Sequence, residues 1–143
     1  MGKKRVIKKG GEVASEAAGK TAARGAKRKL ELGLLFINAS YNNTMILLAD
    51  PDGKAIVASS SGALGFKGSK KGTPFAASKV GELIADKGMA MGLKEVEVII
   101  RGVGAGREGA IRSLIAKGII VNSIKDQTPV PFNGPKAKKA RRV

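Results

Sequence analysis

Two stretches of this chain are too cationic and too poor in large apolar side chains to fold alone, and they confine any hydrophobic core to the residues between them. Residues 1–29 carry ten basic and two acidic side chains, and residues 129–143 carry five basic and none acidic. Neither arm buries enough apolar surface to offset the entropy of ordering it. The first is expected to be disordered until bound, with 12–26 able to form a helix on a partner. Residues 30–128 hold twelve basic and nine acidic groups, a nearly balanced body of a size that builds one core. The net charge of +16 in 143 residues therefore resides mostly in the arms. Two arms of one sign point to a polyanionic partner, nucleic acid first.

Within the body, residues 33–40 and 44–49 read as short strands joined by the polar turn Tyr41-Asn42-Asn43. Asp50-Pro51-Asp52-Gly53 is a strong turn before a third strand at 55–60. Short links make these three an antiparallel meander. A glycine- and lysine-rich loop, 61–72, precedes Thr73-Pro74, a good N-cap and first-turn pair for a helix ending at Gly92. Its inner face is Ala76, Val80, Leu83 and Ile84, with Gly81 and Gly88 as weak points. A strand at 94–101, a helix at 107–117 and a strand at 119–125 follow. The second helix is expected to face inward with Ala110, Ile111, Leu114 and Ile115. The order β-β-β-α-β-α-β predicts an α/β fold, a mixed five-stranded sheet with helices on its faces and basic tails, its last two strands parallel.

Cysteine and histidine are absent. That excludes disulfides, the usual zinc ligand sets and histidine-based acid–base or triad chemistry. No apolar run approaches the roughly 20 residues of a membrane helix. The start MGKKRVIKKGG lacks the apolar stretch of a secretory signal, and Val6 stands where a myristoylation motif needs Ser or Thr. No cofactor, metal or membrane is expected, and the default location is cytoplasmic.

Gly104-Ala105-Gly106-Arg107-Glu108-Gly109 fits G-x-G-x-x-G, and Asp126 lies twenty residues beyond Gly106, on paper a dinucleotide fingerprint. Such a fingerprint opens a βαβ half with further units after it. Here a meander precedes it, and only one helix and one strand follow. Two readings compete better. Gly102, Gly104 and Gly106 can serve a tight strand-to-helix turn in awkward φ/ψ. Alternatively, the helix start and Arg107 grip a nucleic-acid phosphate.

In the lysine loop, Lys67, Lys70 and Lys71 sit among close-approach glycines including Gly68, with Ser69 as a hydroxyl donor and Phe66 as a stacking face. Asn42, Asn43 and Thr44 serve either as a hairpin turn or as hydrogen-bonding groups for RNA. Aromatics are scarce (Tyr41 and Phe at 36, 66, 75 and 132), so recognition of RNA shape and backbone is expected over a base code. A two-metal nuclease needs converging carboxylates. Residues 33–40 have none, Asp50 and Asp52 fit a turn, and Glu95 and Glu97 share a strand face without evident acidic partners. Glu108 suits a helix N-terminus and Asp126 a turn cap.

ASYNNT (39–44), SGALGFKGSKKGTPFAA (61–77), VEVIIRGVGAGREGAIRSL (96–114) and IKDQTPVPFNGPKAKKARRV (124–143) resemble the universal eleventh protein of the small ribosomal subunit, in its bacterial form by length and C-terminal spacing. The resemblance implies a ribonuclease-H-like fold that binds small-subunit ribosomal RNA on the subunit platform and catalyses nothing. It implies bridging of RNA helices and lining of the Shine-Dalgarno cleft, which holds the duplex between messenger and the 3′ end of the ribosomal RNA. It also implies the seventh and eighteenth small-subunit proteins and the third initiation factor as neighbours. The RNA-binding residues on this reading are Asn42, Asn43, Thr44 and the loop from Phe66 to Lys71. Arg101, Gly104, Gly106, Arg107, Arg112 and Lys125 join them from the body, and Asn133, Lys136, Lys138, Lys139, Arg141 and Arg142 from the tail. The chain departs from the family where His is common at 36 and 132, Trp at 58 and Arg at 70. Pro135-Lys136-Ala137 replaces an Arg-Pro-Pro run. The alternatives are an RNA-processing nuclease of the same fold and, more remotely, a nucleoid-type DNA binder.

Overall fold

A computed structural model describes residues 29–140. The N-terminal arm up to residue 28, including the helix expected at 12–26, lies outside the described residues, as do Arg141 and Arg142.

β1 (Leu32–Ala39) alternates: Leu35, Ile37 and Ala39 are buried while Leu34, Phe36 and Asn38 are partly or fully exposed. This period of two places one face on the core. A tight turn leads to β2 (Thr44–Ala49), antiparallel to β1 with Ile37 opposite Ile46. In that turn the Ser40 amide donates to the Asn43 carbonyl at 2.9 Å. The Asp50–Gly53 turn closes through the Gly53 amide on the Asp50 carbonyl at 2.8 Å, with Gly53 at φ 83°. β3 (Ala55–Ser60) completes the meander. After it come a 3-10 turn at Gly68–Gly72 and α1 (Pro74–Ala90), whose N-cap Thr73 accepts from the Ala76 amide at 3.3 Å. β4 (Glu95–Arg101), α2 (Gly106–Ala116) and β5 (Ile120–Asp126) finish the body. The sheet order is β3-β2-β1-β4-β5, with β4 parallel to β1 and β5 parallel to β4.

One expectation is corrected. The helices do not cover both faces; α1 and α2 pack on each other over a single face. Both crossovers, β3 to β4 and β4 to β5, step in the same direction across the sheet. Right-handed connections then put both helices on one side. The opposite face carries Phe36, Met45, Leu47 and Ala58 around a concave apolar trough of about 440 Å³.

The core lies between the helix pair and the inner sheet face, built from Leu35, Ile37, Ile46, Leu48, Val80, Ile84, Val96, Val98 and Leu114. The helix stripes are narrower than expected. Leu83 and Ile111 are only partly covered, and Ile115 is 56 % exposed. The reason is the close approach of the helices. A Cβ at Gly81 would fall 2.0 Å from Ser113 Oγ and 2.9 Å from the Ala110 carbonyl oxygen. Gly81 is thus the contact point of the helix pair, a role that sets its poor helix propensity aside. The buried stripe of α2 is Gly106, Gly109, Ala110, Ser113 and Leu114, and Ile115 is turned about 100° away from Leu114.

Candidate nucleic-acid interface

Loops after the carboxyl ends of parallel strands gather at one edge of an α/β sheet, where such proteins place their ligands. Here the turn between β1 and β2 meets two further connections, both built on it. A Cβ at Gly72 would lie 2.1 Å from the Tyr41 carbonyl oxygen, one at Gly104 2.1 Å from that of Ser40, and one at Gly102 2.2 Å from that of Ala39. Only glycine permits these approaches, so the lysine loop and the glycine loop both rest on the same stretch of backbone.

The lysine loop is folded, not a loose solvated segment. Ser61 is fully buried at its root. Its hydroxyl accepts from the Thr44 amide at 3.3 Å, and its proton is shared between Asn43 Oδ1 and the Lys71 carbonyl. The Thr73 hydroxyl donates to the Lys70 carbonyl at 2.7 Å. Lys67, Gly68, Ser69 and Lys70 are exposed and Lys71 is half-buried. None of the three lysines has an ion pair among the described residues. Phe66 is half-buried and meets Phe75 edge-on at 6.1 Å.

Several expected RNA ligands have other tasks. Thr44 is completely buried, because β2 begins there with its side chain on the helix side, against Gly106. Gly104 and Gly106 are buried spacers, and neither has a positive φ; Gly102 alone does, at 99°. Arg107 is not a free fork. Its guanidinium donates to the Gly102 carbonyl at 2.7 Å and to the Asp126 carboxylate. Asp126 does cap a turn, accepting from the Thr128 amide at 2.9 Å and hydroxyl at 2.6 Å. The Thr128 hydroxyl, then the Arg107 guanidinium, hold the Asp126 carboxyl down at about 2. Both ends of the apparent dinucleotide fingerprint thus close on each other.

Arg112 pairs with Glu108 at 3.2 Å on the exposed side of α2, and Lys125 pairs with Glu97 at 3.3 Å. Glu95 accepts from Asn122 Nδ2 at 2.8 Å. Arg101 is exposed without an ion pair among the described residues, next to Asn38 across the β1–β4 pairing. Asn42 is exposed at the turn, whereas Asn43 is tied to Ser61. Lys136, Lys138 and Lys139 are exposed in a tail without regular structure, and Asn133 is exposed at φ 52°.

Sequence reasoning missed Ser61 and Phe75. Ser61 ends a strand just before a glycine-rich loop, where a hydroxyl can root the turn, but its burial depends on Asn43 and Lys71 arriving from elsewhere. Among the described residues no group of three His, Cys, Asp or Glu side chains could hold a metal ion, and no helix is long and apolar enough to cross a membrane.

Lys67, Lys70, Lys71 and Arg101, without ion pairs among the described residues, stand on connections at one sheet edge, and Lys136, Lys138 and Lys139 follow along the tail. A family model for ribosomal protein S11 covers residues 33–142, most of the chain. Membership implies ribosomal RNA and other ribosomal proteins as partners. The chain therefore belongs to the ribosomal protein S11 family, a family of structural proteins of the small ribosomal subunit.

Proposed function

We propose that this protein binds small-subunit ribosomal RNA on the platform of the cytoplasmic ribosome, bridging RNA helices and lining the cleft for the messenger duplex. On this reading the body 30–128, a bacterial-type member with a ribonuclease-H-like fold, positions the arms 1–29 and 129–143. The order β3-β2-β1-β4-β5 supports that fold. The seventh and eighteenth small-subunit proteins and the third initiation factor are its neighbours. The observation that carries the reading is the lysine loop. Lys67, Lys70 and Lys71 stand on a turn rooted by Ser61 with no ion pair among the described residues, while Asp126, Glu97 and Glu108 are each engaged by a cation of the body.

The test is binding of the full chain to a small-subunit ribosomal RNA fragment and to duplex DNA across a salt series. Replacing the three lysines with alanine should lower the slope of log K against log salt by about 2–3, at about 0.7–0.9 per phosphate. Equal preference for duplex DNA would favour the nucleoid-type reading. Cleavage of the RNA on adding a divalent metal would favour a nuclease of the same fold.

A further inference from the structure

Phe66 and Phe75 flank the lysine loop in sequence and touch in space. Their rings meet at 85° with centroids 6.1 Å apart. The contact clasps the loop into a closed turn, so Lys67, Lys70 and Lys71 emerge from the short segment between two touching rings. A five-residue 3-10 turn is only about 10 Å long. Phe75 is 63 % exposed, although an aromatic ring at the start of a helix gains by burial. Lys79 Nζ, held by Glu82 at 2.9 Å, lies over the Phe75 ring 5.7 Å from its centroid, so a base stacking on that face takes the place of this lysine. Thr73, as N-cap, fixes the backbone on which Phe75 is carried.

We propose that Phe75, propped by Phe66, is a stacking platform for an unpaired RNA base whose backbone phosphates are held by Lys67, Lys70 and Lys71. The proposal rests on the RNA-binding reading above and adds to it a preference for unpaired nucleotides. An apolar ring beside three lysines that have no ion pair among the described residues matches a base and its phosphate together. Stacking is tolerant of sequence because every base has a π-face, so four phenylalanines in the chain suffice when two converge. A blunt duplex offers phosphates, but only its two terminal pairs expose a base face, and the hairpin stem shares one such end.

The experiment uses the full chain, a hairpin RNA with an all-adenine loop carrying one 2-aminopurine, and a blunt duplex of the same stem. The wild-type protein should bind the hairpin more tightly than the duplex and change the 2-aminopurine fluorescence. Phe75→Leu should lose about tenfold in hairpin affinity and the fluorescence change. Its duplex affinity and salt slope should stay as in the wild type, since no phosphate contact is removed. Phe75→Tyr should restore both signals, and Phe66→Leu should lose part of them. Circular dichroism checks the fold, which an exposed side chain does not hold together. Hairpin binding by Phe75→Leu equal to wild type, with the lysine-dependent slope intact, would overturn the platform alone. Displacement of the hairpin by poly-glutamate at equal charge concentration would also overturn it, in favour of an acidic protein surface. Absence of binding to either RNA would remove the RNA reading and the platform with it.

Discussion

Arg107, in the first turn of α2, and Asp126, the last residue of β5, close a circuit around the glycine loop. Arg107 also donates to the Gly102 carbonyl, and Thr128, which donates to Asp126, accepts from the Gly102 amide at 3.2 Å. The Gln127 amide adds a bond to the Ile100 carbonyl at 2.8 Å. The end of the sheet, the loop before α2 and the root of the C-terminal tail are thereby fixed together.

Asp126 gives this circuit a pH signature. Its carboxyl is lowered from 3.8 to about 2 by the Thr128 hydroxyl and then by Arg107. A group lowered in the folded state stabilises fully above its unfolded value and loses that contribution as pH falls through the folded value. We expect wild-type stability to decline between about pH 4 and pH 2 more steeply than that of Asp126→Asn, in urea titrations at successive pH values. At neutral pH the variant should show faster amide exchange at Gly102 and Gln127, with Leu35 and Ile37 unchanged. Parallel pH profiles would show that the circuit does not form in solution.

The helix pair leaves no room for a methyl group at Gly81. Gly81→Ala should destabilise by about 1–3 kcal/mol, the usual cost of overpacking, although alanine is the better helix former. Adding Ser113→Ala removes the nearest obstacle and should recover part of the loss; the Ala110 carbonyl remains at 2.9 Å. Chemical denaturation of the single and double variants measures this. A stabilised Gly81→Ala would mean that the helices pack further apart.

The tail is expected to contribute RNA affinity through phosphates. Residues 136–140 are exposed and belong to no helix or strand, so deleting 136–143 should leave the circular dichroism spectrum of the body intact. If all five cations reach phosphates, the salt slope should fall by up to about 4. An unchanged slope would assign the RNA to the body loops alone.

Asn133 is exposed, adopts φ 52° and precedes Gly134. Glycine leaves the following amide nitrogen unhindered, so cyclisation to a succinimide and opening to isoaspartate are expected on ageing. Peptide mapping with an isoaspartyl methyltransferase should find the modification at this position and find less of it in Gly134→Ala. Unmodified Asn133 in aged protein would contradict the expectation.

The strands and helices were legible because their signals are local: the apolar run 34–37 before the polar turn 41–43, Pro-Asp-Gly at 51–53, Thr-Pro at 73–74. The parallel β4–β5 pair followed from the helix between its strands. What escaped the sequence lies between segments distant along the chain. Arg107 reads as a free phosphate fork until β5 brings Asp126 to it. Thr44 reads as a turn residue until the register turns it inward. Ile115 belongs to an apolar stripe that is wide enough on a helical wheel, but Gly81 lets α1 come so close that only part of the stripe is covered. The lysine loop was found by composition, whereas its clasp by Phe66 and Phe75 needed three dimensions.

The strand order has a consequence for how the chain comes into being. Of the described strands β1 is the first to leave the ribosome that makes it, yet it takes the central place in the sheet. Leu35 meets its antiparallel neighbour Leu48 early, but its parallel neighbour Val98 only after α1 has been synthesised. Until then the nascent chain is a three-stranded meander with β1 as an open edge, the kind of edge that invites pairing with another chain. The slow, long-range closure of β4 onto β1 is therefore the step at which this protein is most vulnerable to its own copies.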